Sequence, residues 1–276
     1  MKKIFNAGII MLVFIPLFFM AASIFSFAEE KSKDWKLVWS EEFNYAGKPT
    51  AAKWNYDEGC DGWGNGEVQC YTRAKSENAR VEDGKLIIEA RHDGTGKQQY
   101  TSARLNTKGK GRWAYGRIEV SAKLPSGRGV WPGIRMFAEK WNYDKYGQNF
   151  WPENGEIEMM EAVGYDPGQI HATVHTYQHN SRKGDAKTGT IKIADAETKF
   201  HVYAMEWFPD HMDFFVDNNK YFTFLKQRNN WHFWPFDKKF YLIFNLAVGG
   251  SWGGKRGIDS TIFPQRFEID YVRVYQ

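Results

Sequence analysis

Residues 151–164 read Trp151-Pro152-Glu153-Asn154-Gly155-Glu156-Ile157-Glu158-Met159-Met160-Glu161-Ala162-Val163-Gly164. Three carboxylates, Glu156, Glu158 and Glu161, sit inside a short apolar run. A buried strand avoids unpaired carboxylates, because taking them out of water is strongly penalised. Side chains alternate faces along a strand, so Glu156 and Glu158 share one face while Ile157 and Met159 share the other. On a regular strand Glu161 points away from Glu156. One extra residue at Met159-Met160, a β-bulge, flips the phase and returns Glu161 to the carboxylate face. Three acids on one surface raise each other's pKa and divide protonation states between them. One ionised and one protonated carboxyl is what a two-carboxylate glycosidase needs. The plain alternative is an edge strand with a solvated acidic face. Gly155 and Gly164 at the two ends, the apolar opposite face and the nearby His171 and His175 weigh against it.

The pattern around this stretch is that of strands. From Gly116 to Leu124, Ile118, Val120, Ala122 and Leu124 alternate with Arg117, Glu119, Ser121 and Lys123, the period of a half-buried strand. Further strands are expected from Trp35 to Phe43, Leu86 to Ala90, Tyr100 to Thr107, Phe200 to Phe208, Met212 to Val216, Tyr221 to Leu225, Phe240 to Val248 and Arg266 to Tyr275. Asp83-Gly84, Pro209-Asp210 and Asp217-Asn218-Asn219 are turns between them. No long segment keeps a helical period, so an all-β sandwich is expected. No internal repeat, linker or second domain stands out.

The N-terminus is different. Lys2 and Lys3 precede an apolar run from Ile9 to Phe25, and Ser26-Phe27-Ala28 is a small-x-small cleavage site. Residues 1–28 thus read as a secretory signal peptide rather than a membrane anchor, leaving 29–276 as one catalytic domain. Secretion to an extracellular or periplasmic space follows, with no stable membrane association after cleavage. Without Lys2 and Lys3 the net charge of +4 falls to +2, too balanced for a nucleic-acid partner. Aromatics make up 17% of the chain, with 12 Trp, which suits either a sugar-binding cleft or a Trp-rich core. Cys60 and Cys70 either close a short loop as a disulfide or stay as two free thiols. His171 and His175, on one face of a strand, are ~13 Å apart at ~3.3 Å per residue, too far for one metal ion.

The stretch Glu156 to Glu161 resembles the active-site strand of family 16 glycoside hydrolases, the laminarinase-like β-glucanases, whose pattern is Glu-apolar-Asp-apolar-(apolar)-Glu. The extra apolar residue is that of the laminarinase branch. The resemblance runs from about Trp35 to Gln276 and implies a β-jelly roll of two antiparallel sheets with a concave substrate cleft. It implies Glu156 as nucleophile, Glu161 as general acid/base, and His175 near the acid/base, with His171 structural. The middle acid departs from the pattern: it is Glu158 where Asp is usual. Glu158 is expected to hydrogen-bond Glu156 and help split the pKa values.

Other segments carry the same resemblance. Trp63-Gly64-Asn65-Gly66-Glu67 makes Asn65 a sugar contact, and Tyr100-Thr101-Ser102-Ala103-Arg104 places Arg104 among the acids. Trp131-Pro132-Gly133-Ile134-Arg135 matches Trp-Pro-x-x-Trp at Trp131, a sugar-stacking residue, but has Arg135 for the second Trp. Gly249-Gly250-Ser251-Trp252 adds Trp252 as a third stacking candidate. No cofactor is needed for the chemistry. A structural calcium on the convex side is implied at Glu42, the Gly84 carbonyl and Asp270, an oxygen set suited to that ion.

The expected activity is endo-acting, retaining cleavage of internal β-1,3 bonds in a β-glucan such as laminarin, by a secreted monomer. Two rivals stand beside it. One is the same chemistry on mixed-linkage glucan or a galactan such as agar or carrageenan, kept open by Arg135. The other is a non-catalytic glucan-binding module, which would need a lost nucleophile or acid.

Overall fold

The computed structural model describes Met1 and residues 34–93, 98–139 and 151–276. The leader expected over residues 1–28 therefore lies outside the described residues, apart from Met1. Among the described residues no helix is long and apolar enough to cross a membrane.

From Trp35 onward the chain is built on strands. In chain order they are β1 (Leu37–Glu41), β2 (Asn55–Asp57), β3 (Gln69–Tyr71), β4 (Ala79–Glu82), β5 (Lys85–Ala90), β6 (Tyr100–Ser102), β7 (Arg104–Asn106), β8 (Gly116–Lys123), β9 (Val130–Ala138), β10 (Glu156–Glu161), β11 (Gln169–His175), β12 (Lys187–Lys192), β13 (His201–Trp207), β14 (His211–Val216), β15 (Asn219–Leu225), β16 (Phe240–Val248) and β17 (Gln265–Tyr275). One antiparallel sheet runs β15-β14-β13-β8-β17-β5-β4, with β1 on β17. The other runs β12-β11-β10-β9-β16-β7-β2. This is the expected all-β sandwich.

The alternation read in the sequence explains the layering. In β8, Ile118, Val120 and Ala122 are fully buried, while Arg117 turns outward to Glu119 and Glu206 at 2.7 and 2.9 Å. From the other sheet, Ile134, Met136, Ile157, Leu242 and Phe244 join the same core. Burying each such side chain stabilises the fold by roughly 1.5–3 kcal/mol. One expected strand divides. Tyr100 to Thr107 is not continuous: β6 pairs in parallel with β3, and after Ala103, buried at 0% exposure, β7 joins the second sheet. A single stretch thus serves two sheets, which alternation alone does not reveal.

Cys60 and Cys70 form a disulfide that closes the loop carrying Trp63, Asn65 and Glu67. The sequence left this open. Gly59 and Tyr71 pair beside it with backbone bonds of 3.2 and 2.9 Å. Restricting the unfolded chain with a loop of this size contributes about 2–3 kcal/mol. Replacing both cysteines by serine is expected to lower the melting temperature by about 5–10 °C, measured by thermal unfolding. An unchanged midpoint would show that the strand pairing alone holds the loop.

Candidate active site

Inside the second sheet β10 lies between β11 and β9, and the bulge lies within it. Glu158 stands opposite Thr173 and Glu161 opposite His171, so three steps on β10 match two on β11. On the other side Glu158 faces Arg135 and Met160 faces Ile134. Met159 and Met160 both go into the core, at 1% and 0% exposure. That double step returns Glu161 to the side of Glu156 and Glu158. The glycines at the two ends are sterically required. Gly155 has φ +80°, and a Cβ there would lie 2.6 Å from the Phe236 ring; at Gly164 it would lie 1.9 Å from the Gly127 carbonyl.

The three glutamates line the floor of a cavity of about 730 Å³ and are buried, at 3%, 6% and 3% exposure for Glu156, Glu158 and Glu161. Arg135 is their shared counter-ion. Its Nη1 donates to Glu156 Oε1 at 3.1 Å and lies 3.5 Å from Glu158 Oε1, while Nη2 donates to Glu161 Oε1 at 2.5 Å. The Trp131 indole N–H also donates to Glu161 Oε1, at 3.0 Å. The Trp151 indole N–H donates to Glu156 Oε2 at 2.6 Å. His175 Nε2 pairs with Glu158 Oε2 at 3.1 Å. Glu158 also shares a hydrogen bond with Glu161. Its hydrogen-bond partners are therefore His175 and Glu161, not Glu156 as the sequence reading had it.

These contacts divide the protonation states. Burial raises the pKa of Glu161 well above the carboxylate range, and the Glu158 charge raises it further, against the pull of Arg135. Glu156 is raised by burial and by Glu158, against the lowering effects of Arg135, His175 and the Trp151 N–H. Burial would raise Glu158 too, but the charge and hydrogen bond of His175, with Arg135, bring it down to about 2. His175 is raised in turn: its burial opposes the charge, but Glu158 prevails.

The cavity runs across the strands. Trp63, Asn65 and Arg104 stand on the β2–β7 side, Thr173, Thr188 and Arg182 on the β11–β12 side. Asn65 donates to Glu67 Oε1 at 3.0 Å, and Gln69 holds Glu67 Oε2 at 2.6 Å. Arg104 lines the cavity, but its guanidinium pairs with Asp57 at 2.9 Å and lies over the Trp63 ring at 5.2 Å. It does not sit among the acids, because Asp57 of β2 lies directly across from it in register. Trp252 and Trp131 pack edge to face at 5.5 Å, and His171 packs on Trp252 at 4.9 Å. His171 is held below its usual pKa by burial.

Several residues at the site went unassigned in the sequence, Trp151, Arg182, Thr173, Thr188 and Asn245 among them. Arg182 lies over the Trp151 ring at 5.0 Å and donates to its carbonyl at 3.0 Å. Trp151 stood at the edge of the stretch read first, five positions before Glu156, and that was its only signal. Arg182 comes from a turn after β11 and carried none.

The set implied for calcium does not fit the ion as arranged. Both oxygens of Glu42 accept from Arg273, at 3.0 and 2.9 Å, and Asp270 accepts from Ser121 Oγ at 3.3 Å. A guanidinium already neutralises the carboxylate that the ion would need, leaving Gly84 only as the turn between β4 and β5. Glu156, Glu158 and His175 offer three ligand atoms within 4.8 Å of one another, but each is engaged in the network above.

Comparison with known proteins accords with this geometry. A "Beta-glucanase" from Rhodothermus marinus is 51% identical over 252 residues, covering 90% of this chain and 87% of that protein. A "Glucan endo-1,3-beta-glucosidase" from Cryptopygus antarcticus is 39% identical over 255 residues, covering 87% and 91%. The X-ray structure of the laminarinase from Rhodothermus marinus superposes with a TM-score of 0.84 at 51% identity, covering 88% of this chain and 97% of that one. Residues 66–273 match the family described as glycosyl hydrolases family 16, and the chain belongs to that family.

Proposed function

We propose that the protein is an endo-acting, retaining β-1,3-glucanase of the laminarinase type. The observation that carries this reading is the bulged strand, which puts Glu156 and Glu161 on one buried, concave surface, with burial raising Glu161 well above the usual carboxylate range. Glu156 attacks the anomeric carbon while Glu161 gives its proton to the leaving oxygen. Glu161 then takes a proton from water, which attacks the same carbon and releases Glu156. A retaining site needs its two carboxyl groups ~5–5.5 Å apart, against ~6.5–9.5 Å for inversion. Both glutamates accept from one guanidinium fork, and a rigid fork favours the short spacing.

The remaining residues support these roles. Glu161 Oε1 already accepts from Arg135 and Trp131, so its proton belongs on Oε2. Once that proton has left, the same two donors stabilise the carboxylate that remains. Trp131, Trp252 and Asn65 line the cavity, which supports reading them as sugar contacts. An extracellular or periplasmic site is supported by the basic, apolar leader and by the disulfide, a bond of oxidising compartments. The chemistry involves no cofactor.

Three experiments bear on the assignment. With an activated aryl β-laminaribioside and azide, Glu161→Ala is expected to give the β-glycosyl azide and Glu156→Ala the α product. The same anomer from both variants would reverse the roles. Glu158→Asp shortens the side chain away from His175, 3.1 Å from it, and removes a charge-assisted bond of roughly 1.5–3 kcal/mol. The laminarin kcat is expected to fall about ten- to a hundredfold. A gain in rate would mean that Glu158 crowds the nucleophile instead. Trp151→Phe removes a donor that lowers the Glu156 pKa. The nucleophile must be ionised, so the acidic limb of kcat/KM is expected to move to higher pH. A profile with an unmoved acidic limb would show that the indole N–H does not set the charge of Glu156.

A further inference from the structure

The turn that clamps Trp151 has a second side. Ser181 and Arg182 line the cleft, while the next residue, Lys183, puts its ammonium 4.6 Å from the Tyr177 ring centre. Tyr177 is 40% exposed and Trp231 37% exposed, and their rings lie 5.4 Å apart. His232 packs against both, at 4.7 and 3.9 Å. The other described exposed apolar side chains from Trp35 onward, Leu37, Val38, Phe200 and Leu225, are aliphatic or come from separate segments. Here alone among those, two exposed aromatic rings touch.

The cluster is also held rigid. Gln178 N–H donates to the His232 carbonyl at 2.9 Å and Thr176 N–H to the His179 carbonyl at 2.7 Å. The Asn180 amide donates to the Thr176 and Tyr177 carbonyls at 3.1 and 3.2 Å. Lys183 Nζ donates to the Tyr177 carbonyl at 2.6 Å. Exposed aromatics fixed in place present apolar area with little ordering cost left at binding. Flat rings beside an ammonium and an imidazole suit a sugar, whose C–H face stacks while its hydroxyls take the polar groups.

We infer that Tyr177 and Trp231, with Lys183 and His232, form a second carbohydrate surface that takes further units of a long β-glucan leaving the cleft past Arg182. The inference rests on the β-glucanase reading of the cleft. The occupant is a glucan chain because Arg182 of the cleft wall and Lys183 of the aromatic cluster are successive residues of one short turn. Trp231 supplies the broad apolar face, Tyr177 its neighbour, and Lys183 and His232 the hydrogen bonds.

The test is the double variant Tyr177→Ala/Trp231→Ala, whose residues lie outside the catalytic network. Affinity electrophoresis in laminarin gels reads the surface directly. The double variant is expected to lose retardation relative to the wild-type chain by about tenfold in apparent Kd, the scale of aromatic stacking. Its KM on long laminarin should rise similarly, with kcat/KM on laminaripentaose within about twofold of wild type. Equal retardation and equal polymer KM would overturn the inference. So would an equal loss on polymer and pentaose, which would make the cluster part of the cleft wall. Retardation of both proteins in dextran sulfate but not laminarin would also overturn it, in favour of an anion site. Failure of the wild type to cleave laminaripentaose would overturn the reading of the cleft instead, and the gel would still decide the surface. Lys183→Ala, with its milder expected loss of retardation, checks the result should the double variant fold poorly.

Discussion

One guanidinium holds three buried carboxylates. Taking each charge out of water costs several kcal/mol even after relaxation, and Arg135 can offset only part of that. With Glu156, Glu158 and Glu161 all ionised, the site would carry two excess negative charges, or one if His175 is protonated. Retaining a proton is the cheaper state, and it goes where the opposing influences are weakest. Glu158 has His175 and is held low, at about 2, while burial and the Glu158 charge raise Glu161 well above the usual carboxylate range. The proton that the proposed mechanism delivers is thus a consequence of burying three acids around one cation. Arg135 donates to both Glu156 and Glu161, so the guanidinium also fixes their spacing.

Much of this was legible in the chain. The order Glu-x-Glu-x-x-Glu demanded a bulge once all three acids were placed on one face, and Met159-Met160 supplied it. The alternation from Gly116 to Leu124 marked β8 because one of its faces is core and the other is not. Partners brought together across the sheet were harder to read. Glu158 meets His175 rather than Glu156, because its longer side chain reaches the next strand. Arg104 meets Asp57 because β2 lies beside β7, a pairing across 47 residues. Glu42 meets Arg273 across 231 residues. Residue type and spacing report the face of a strand, but the neighbour on that face depends on strand order.

The walls of the cleft are fixed by a different device. Glu67 is buried at 6% exposure and accepts from Asn65, Gln69 and Tyr71, at 3.0, 2.6 and 3.4 Å. Tyr71 in turn accepts from the Asn245 amide at 3.2 Å. Because a carboxylate can only accept, the direction of every bond in this chain is set from Glu67 outward. Tyr71 must donate to Glu67, so its lone pair takes the Asn245 N–H, which leaves Asn245 Oδ1 buried without a partner in the protein. The disulfide closes the loop on which Asn65 and Glu67 stand, so this polarity is in place before any ligand arrives.

The same bookkeeping of donors bears on the sugar. Arg135 was the feature that kept an anionic galactan in view, since a free cation beside the acids would read a sulfate. Its Nη1 and Nη2 are instead committed to the three glutamates, and only Nε remains unpartnered, facing Asn245 Oδ1 across the Cβ-less position of Gly133. Arg104 is committed to Asp57 and Arg182 to the Trp151 carbonyl and ring. A sulfate entering this cleft would meet three buried carboxylates whose cation is already shared, and like charges juxtaposed in a desolvated site are strongly disfavoured. A neutral hydroxyl meets no such repulsion. An Arg135 that serves the acids first thus supports the proposed reading of a neutral glucan over that of a sulfated chain.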